Sequence, residues 1–381
     1  MDESNSSLKW LEDYRKKGGD PVQEYHELTQ FWEFKARDKG VPVSGLFELT
    51  PLCNFSCKMC YVHMDANQLK DQKILPTETW KRLMREAFQA GMMFASLSGG
   101  ECLAYPGFDE LYFYLRSLGV EINVLTNAYL LDEKRIQFFK KHQPALIQIT
   151  LYGWNDDVYE RVTGKRVFSA VRDHIKRAVE ENLPVRLTVV PNRYLGEDLL
   201  ETIRVAKDLC KFVSLNNFIN TPREETGRSG QRDDAELDLY IRAYKYFEQL
   251  LGRETREIRE EDLPPCGGSC HECSERGILC GGGRSTFAID WKGTLLPCPS
   301  LSAICAYPLK EGFAAAWAQL NQAANNWPRV PECKGCAYSD ACHHCAADML
   351  RFADPGKKPS GLCEQTREMV RQGVKHIPDC E

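Results

Sequence analysis

From Gly45 to about Asn220 the chain alternates short β-rich runs with longer stretches whose apolar residues recur at helical spacing. Strands are expected over 45–50 (GLFELT), 94–98 (FASLS), 121–126 (EINVLT), 145–152 (ALIQITLY), 185–190 (VRLTVV) and 212–219 (FVSLNNFI). Strand followed by helix, repeated six times, is the signature of parallel β/α architecture and predicts an α/β fold, a partial TIM-like barrel. In the first helix Thr77 after Pro76 is a candidate cap, Trp80, Leu83, Met84, Ala87 and Phe88 share one face, and Gly91 is placed to end it. Ahead of the barrel, Tyr25, Leu28, Phe31 and Trp32 at helix-like spacing predict a helical extension over 1–44. Behind it, the polar stretch TPREETGRSGQRDDAELD (221–238) reads as an exit loop, and a helix over 235–251 sets Leu237, Ile241, Tyr244 and Leu251 on one side. Beyond it the chain is rich in Cys, Gly and Pro with little periodicity, a composition that needs staples. The expected organisation is thus an extension (1–44), a barrel (45–235), a linking helix (236–265) and a cysteine-rich domain (266–381).

The 381 residues suffice for more than one core, and 43% hydrophobic with 27% charged residues is ordinary globular composition. Apolar runs fall short of the roughly 20 residues that span a bilayer, so no membrane helix is expected. The N-terminus MDESNSSLKWLEDYRKKGGD lacks the basic-then-apolar order of a secretory signal, which makes the cytoplasm the expected compartment. A net charge of −5 without a dominant basic block leaves no electrostatic footprint for nucleic acid.

The seventeen cysteines change the picture most. In a reducing compartment they are not a disulfide framework, and thiols in such numbers point to metal. Three fall at 53–60 and twelve between 266 and 380, which marks two metal regions. CNFSCKMCY places Cys53, Cys57 and Cys60 directly after the first expected strand, where β/α barrels build active sites. Three thiolates leave one iron of a four-iron cluster open to another ligand. A zinc site borrowing a fourth ligand would use the same three residues. A second motif, LSGGECL (97–103), follows the second expected strand.

CxxxCxxC followed by Gly99, Gly100 and Glu101 resembles the radical S-adenosylmethionine (SAM) superfamily. The resemblance implies a [4Fe-4S] cluster on the three cysteines, and SAM with its methionine amino group held by the Gly-Gly-Glu turn. It also implies that Tyr61 lies beside the adenine and that Thr126 and Asn127 lie near SAM. On the fourth strand Thr150, Leu151, Tyr152 and Gly153 replace the family's usual Ser-x-Asp-Gly, with Thr150 as the candidate contact to SAM. Arg186 is a candidate partner for the SAM carboxylate, since a guanidinium matches a carboxylate bidentately, and a solvated strand-end arginine is the equal alternative.

The segment CGGGRSTFAIDWKGTLLPC (280–298), then CKGCAYSDACHHC (333–345) and Cys363, resembles the SPASM domain. Gly293 stands five residues before Cys298, as in that pattern, while two residues rather than the usual three separate Cys342 from Cys345. The resemblance implies two auxiliary [4Fe-4S] clusters. One would use Cys273, Cys280, Cys298 and Cys345, with Cys270 or Cys266 as alternatives to Cys273; the other would use Cys333, Cys336, Cys342 and Cys363. A pair of zinc sites is the alternative reading of the same residues. The remaining Cys102, Cys210, Cys266, Cys270, Cys305 and Cys380 read as small buried hydrophobes. Cys102, directly after Glu101, is a candidate to face the active site.

The family's chemistry is reductive cleavage of SAM to a 5′-deoxyadenosyl radical that abstracts hydrogen from substrate. SPASM enzymes commonly act on ribosomally made peptides, so the expected substrate is a peptide or protein, matured by a thioether or carbon-carbon crosslink or by side-chain oxidation. The expected electron donor is a flavodoxin or ferredoxin. With only 44 residues ahead of the barrel, leader recognition is expected to need another route or a separate peptide-recognition protein. Alternatives are formylglycine formation of the anaerobic sulfatase-maturating kind, a small-molecule radical reaction, and a zinc-stapled binding module without catalysis. The sulfatase-maturating kind has an Asp after the cysteine aligned with Cys298, and Pro299 stands there. Asp290 is the substitute candidate, and Glu48 and Asp65 are further acids without an assigned motif.

Overall fold

The computed structural model describes residues 20–64, 67–70, 73–216, 219, 223, 233–255, 257, 277–334, 336–339, 341–342 and 344–375. Its centre is an eight-stranded sheet of order β6-β5-β4-β3-β2-β1-β7-β8. The strands β1 (Ser44–Glu48), β2 (Phe94–Ser98), β3 (Glu121–Thr126), β4 (Leu146–Leu151), β5 (Val185–Val189) and β6 (Val213–Leu215) pair in parallel with their neighbours. The helices between them are α2 (Thr77–Gln89), α3 (Phe108–Ser117), α4 (Glu133–Lys141), α5 (Asp156–Thr163), α6 (Phe168–Glu180) and α7 (Asp198–Leu209). The sheet does not close, as a six-unit partial barrel requires.

Strand side chains alternate between faces. Phe47 points outward, edge-on to Trp80 of α2 at 6.1 Å. The opposite face carries Glu48, Ser96, Asn123, Gln148, Thr150, Arg186 and Thr188, which the register sets side by side. The lumen is therefore polar, which suits a ligand-holding barrel better than a packed plug. The extension α1 (Pro21–Arg37) lies across the strand starts, where Tyr25 meets Phe94 edge-on at 6.0 Å.

In α2 Trp80, Leu83, Met84 and Ala87 are buried as the spacing requires. Thr77 is not its cap: Pro76 takes that position without a side-chain bond, and Thr77 Oγ1 lies 3.4 Å from the Tyr105 hydroxyl instead. Phe88, one step round the helix from the buried stripe, is 39% exposed.

The larger difference lies beyond the barrel. Residues that the pattern offered only as cysteine spacers form β7 (Thr286–Ile289) and β8 (Leu295–Leu296), and β7 pairs in parallel with β1. The cysteine-rich region thus extends the barrel's own sheet. A Cβ on Gly45 would lie 2.4 Å from Phe287, so glycine here lets the added strand bring its aromatic ring against β1. Phe287 then continues into Phe313 and Trp317 of α10 (Phe313–Asn325), which follows the short helix α9 (Pro308–Glu311).

The linking helix α8 (Leu237–Leu250) has two apolar sides. Leu239, Ala243 and Phe247 join the barrel core, whereas Tyr240 and Ile241, with Leu237 and Tyr244 beside them, pack near Met369 and Val374. Met369 belongs to α12 (Ser360–Arg371), which follows the short α11 (Ala346–Met349). Among the described residues no helix is long and apolar enough to cross a membrane.

Candidate active site and cluster ligands

The cysteine loop leaves β1 at Glu48 and is fixed from both sides. Ser56 and Lys58 donate backbone N–H bonds of 2.9 and 3.0 Å to Thr163 and Val162 at the end of α5. On the other side Gly100 N–H donates to Thr50 O at 2.7 Å and Glu101 N–H to Leu52 O at 3.0 Å. These two donors of the Gly-Gly-Glu turn are therefore committed to the cysteine loop. The glycines are needed for that approach, since a Cβ on Gly99 or Gly100 would lie 2.4 Å from the Thr50 or Leu52 carbonyl oxygen.

Glu101 is almost completely buried. Its Oε1 accepts from Thr126 Oγ1 at 2.8 Å and Leu103 N at 3.1 Å, and its Oε2 accepts from Asn127 N at 2.8 Å. Burial pushes this carboxyl's pKa up, and the three bonds oppose the shift. Asn127 Nδ2 in turn donates to Asn54 Oδ1 at 2.8 Å and approaches Cys53 Sγ at 3.6 Å. Cysteine loop, Gly-Gly-Glu turn and the end of β3 thus form one hydrogen-bonded unit at the strand C-terminal ends.

Thr150 lies on the lumen face of β4, one layer nearer the strand end than Gln148. Arg186 does not join this group. It is the second residue of β5, its Nη2 donates to Gln148 Oε1 at 2.7 Å, and its charge is felt by Tyr25 and His26 of α1. It faces the strand starts and not the cysteine end, because the strand's arginine comes too early in VRLTVV.

The donor set suits an iron-sulfur cluster. Cys53 and Cys60 accept backbone N–H bonds from Phe55 and His63 at 3.4 and 3.2 Å, the contacts that stabilise cluster thiolates. Burial pushes the Cys53 thiol up to about 12 and Cys57 well above its usual range, and a bound iron-sulfur cluster would supply the positive charge that favours the thiolates. Tyr152, standing where the family carries Asp, lies beside Cys57 and packs edge-on to Phe55 at 6.3 Å. Neither Tyr152 nor Asn54 was singled out from sequence; the break in the fourth-strand motif was the available signal.

Tyr61 stands beside the triplet. Its hydroxyl donates to Glu48 Oε1 at 2.9 Å, and Glu48 also receives both arms of Arg223. Cys102 is fully buried, with its thiol 3.1 Å from Leu125 O, and so packs behind the turn instead of facing the site. Asp290 forms the hairpin turn between β7 and β8: its Oδ1 accepts from Lys292 N at 3.0 Å and Thr294 N at 2.8 Å. Asp290→Asn should therefore keep the turn and most activity, within about threefold, whereas Asp290→Ala should lower melting through about 1 kcal/mol of lost hydrogen bonding. Calorimetry and turnover of the pair separate a turn residue from a base.

In the cysteine-rich region Cys298, Cys280 and Cys345 lie within electrostatic range of one another, and so do Cys333, Cys336, Cys342 and Cys363. Among the described residues no three Cys, His, Asp or Glu side chains converge tightly enough for a single metal ion. A four-iron cube carries its thiolates on its outer corners and needs no such convergence. Cys280 Sγ accepts from Gly282 N at 3.4 Å. Cys266, Cys270, Cys273 and Cys380 lie outside the described residues, as does Asp65. Cys305 is exposed beside Tyr307, unlike the buried Cys210.

Residues 47–206 match the Radical SAM superfamily, and the chain carries a radical SAM domain there. Over 79% of its length it is 24% identical to a PqqA peptide cyclase of Bradyrhizobium diazoefficiens, of which the match covers 80%. Streptococcus suis SuiB, solved with S-adenosylmethionine, superposes with a TM-score of 0.65 at 17% identity over 85% of this chain and 78% of that one. For anSMEcpe with bound AdoMet the TM-score is 0.64 at 16% identity, over 87% of this chain and 97% of that one. SuiB has also been solved with its precursor peptide SuiA.

Proposed function

We propose that this enzyme matures a ribosomally made peptide, using a radical generated from SAM to form a thioether or carbon-carbon crosslink or to oxidise a side chain. One observation carries the reading: the loop that bears the three thiols is joined at the strand ends to the Gly-Gly-Glu turn by backbone bonds, and to the end of β3 by Asn127 beside Cys53, a unit of the kind a SAM-cleaving cluster needs. The relation to a peptide cyclase supplies the substrate class.

The cluster, when bound, supplies an electron to SAM and so gives the radical that attacks a substrate C–H bond. The chain's own part is to hold and shield. Glu101 keeps Thr126 and Asn127 in place, Tyr61 and Thr150 offer polar and aromatic contacts at the mouth, and Phe55, Tyr152 and Tyr159 keep water from the Cys57 side. In the SPASM reading the set Cys280, Cys298 and Cys345, with Cys273 as fourth ligand, and the set Cys333, Cys336, Cys342 and Cys363 would hold auxiliary clusters able to accept the electron that a substrate radical gives up as it becomes the oxidised product. Burial pushes the Cys298 and Cys333 thiols up to about 11, and iron again supplies the compensating charge. Cys363 lies near Lys358 and Arg367, cations that favour an acidic flavodoxin or ferredoxin as electron partner. Peptide recognition by a separate protein completes the scheme. Formylglycine formation is less well served, because Asp290 is committed to its turn.

Anaerobic reconstitution should give about twelve irons per chain, and about four with stoichiometric zinc would overturn the auxiliary clusters. Incubation with SAM, reductant and peptides encoded beside the gene should change a peptide's mass. SAM cleavage with no peptide modified would sink the maturase reading.

A further inference from the structure

Glu48 and Asp290 end neighbouring strands. β1 and β7 pair through Phe47 and Ile289, and the next residue on each is an acid. Both carboxylates are buried, and burial first, then the nearby Asp290 charge, push the Glu48 carboxyl up. Side by side they would force the strand ends apart. Arg223 meets this charge: its Nη1 and Nη2 donate to Glu48 Oε2 and Oε1 at 2.6 and 2.9 Å, and Asp290 acts on it electrostatically.

Arg223 does not belong to either strand. It comes after β6, at the far end of the sheet, yet its guanidinium reaches the end of β1. There it makes three further contacts. Its N–H donates to Tyr61 O at 3.2 Å, its guanidinium lies 5.4 Å from the centre of the Tyr61 ring, and Nη2 approaches Pro299 O at 3.4 Å. Tyr61 directly follows Cys60, and Pro299 directly follows Cys298. Beside them Trp291, from the β7–β8 turn, packs with Val62 and Met64 of the cysteine loop. The contact thus touches the residue next to a ligand of the first cluster and the residue next to a ligand of the inner auxiliary set.

We propose that Arg223 is a positioning residue: paired with Glu48 at the end of β1, beside Asp290 at the end of β7, it ties Tyr61 to Pro299 and so locks the cysteine-rich domain onto the loop that bears Cys60. The clamp holds Tyr61 at the SAM site and fixes the separation of the two cluster regions. It acts through Tyr61 and the strand ends and takes no part in the chemistry. The inference rests on the radical SAM reading of the site and is independent of the substrate being a peptide.

The test uses the reconstituted full chain with SAM alone. Arg223→Met should raise KM for SAM in 5′-deoxyadenosine formation about tenfold and change kcat less than about threefold, with Arg223→Lys recovering most of the loss. In the same variant, hydrogen exchange should rise together in 61–64 and 289–299, segments distant in sequence, while exchange at α4 and α6 stays as in the parent. Glu48→Gln combined with Arg223→Met removes charge from both partners and should bring exchange at both segments back toward the parent, as coupled residues do. Tyr61→Phe removes one bond to Glu48 and should loosen 61–64 alone. An unchanged KM for SAM, or exchange rising in one segment without the other in Arg223→Met, would overturn the clamp. If Arg223→Met does not fold, Arg223→Gln decides: parental KM and parental exchange at both segments would reject the clamp, and a rise in both would support it.

Discussion

Alanine at Cys57 is expected to abolish SAM cleavage while leaving the rest of the fold in place. Cys57 is half-buried, with Cys53, Cys60 and Tyr152 beside it. Two thiolates do not hold a four-iron cluster with an open iron, so the reconstituted variant should lose about four of about twelve irons and fall at least about a thousandfold in 5′-deoxyadenosine formation. Cys102→Ala is the matched control. That thiol is more deeply buried but bonds only to the Leu125 carbonyl and approaches Glu101 at 3.9 Å, so its loss should cost about 1–2 kcal/mol of stability and leave iron content and cleavage intact. Iron analysis with quantification of 5′-deoxyadenosine checks both. Retained cleavage in Cys57→Ala would remove this cysteine from the ligand set.

The contrast between these cysteines shows what was legible in the chain. Strand positions followed from alternation, and the first cysteine triplet from its spacing and its place after a strand, because both depend on neighbours within a few residues. Whether Cys102 faces the site or the core depends on the rotation of a three-residue 3-10 turn (Cys102–Ala104) after Glu101, which periodicity does not encode. Arg186 was misplaced for a similar reason. Its residue type suits a carboxylate, but its height in the barrel depends on where in β5 it falls, and the second position leaves it against Gln148. The β7–β8 hairpin escaped because its strands are of four and two residues and are interrupted by the Asp290 turn; pairing with β1 across more than two hundred residues leaves no local trace. Arg223 escaped for both reasons, since it lies in a polar stretch that reads as a loop and its partner is 175 residues away.

Gly100→Ala should be the most damaging single-methyl change in the chain. The added Cβ would meet Leu52 O at 2.4 Å, Leu52 C at 2.7 Å and Pro51 O at 2.8 Å, all backbone atoms that no rotamer change can move aside. Relief would require separating the Gly-Gly-Glu turn from the cysteine loop, which breaks the Gly100 and Glu101 N–H bonds to Thr50 O and Leu52 O. Overpacking together with two lost buried bonds should cost about 3–4 kcal/mol. The damage would not stay local to the turn. Glu101 is the acceptor that orients Thr126 and the Asn127 backbone, and Asn127 reaches Cys53, so moving the turn shifts every group at the SAM site at once. SAM affinity should fall at least about tenfold, as expected when groups are displaced by an ångström from their working positions. Gly119→Ala separates this effect from simple backbone strain: Gly119 has φ +78° but nothing within 4 Å of its Cβ position, so it should cost only about 1–2 kcal/mol and leave SAM binding unchanged. Thermal unfolding and anaerobic SAM titration of the two variants give the comparison, and equal SAM affinity in both would show that the turn and the cysteine loop are not mechanically joined.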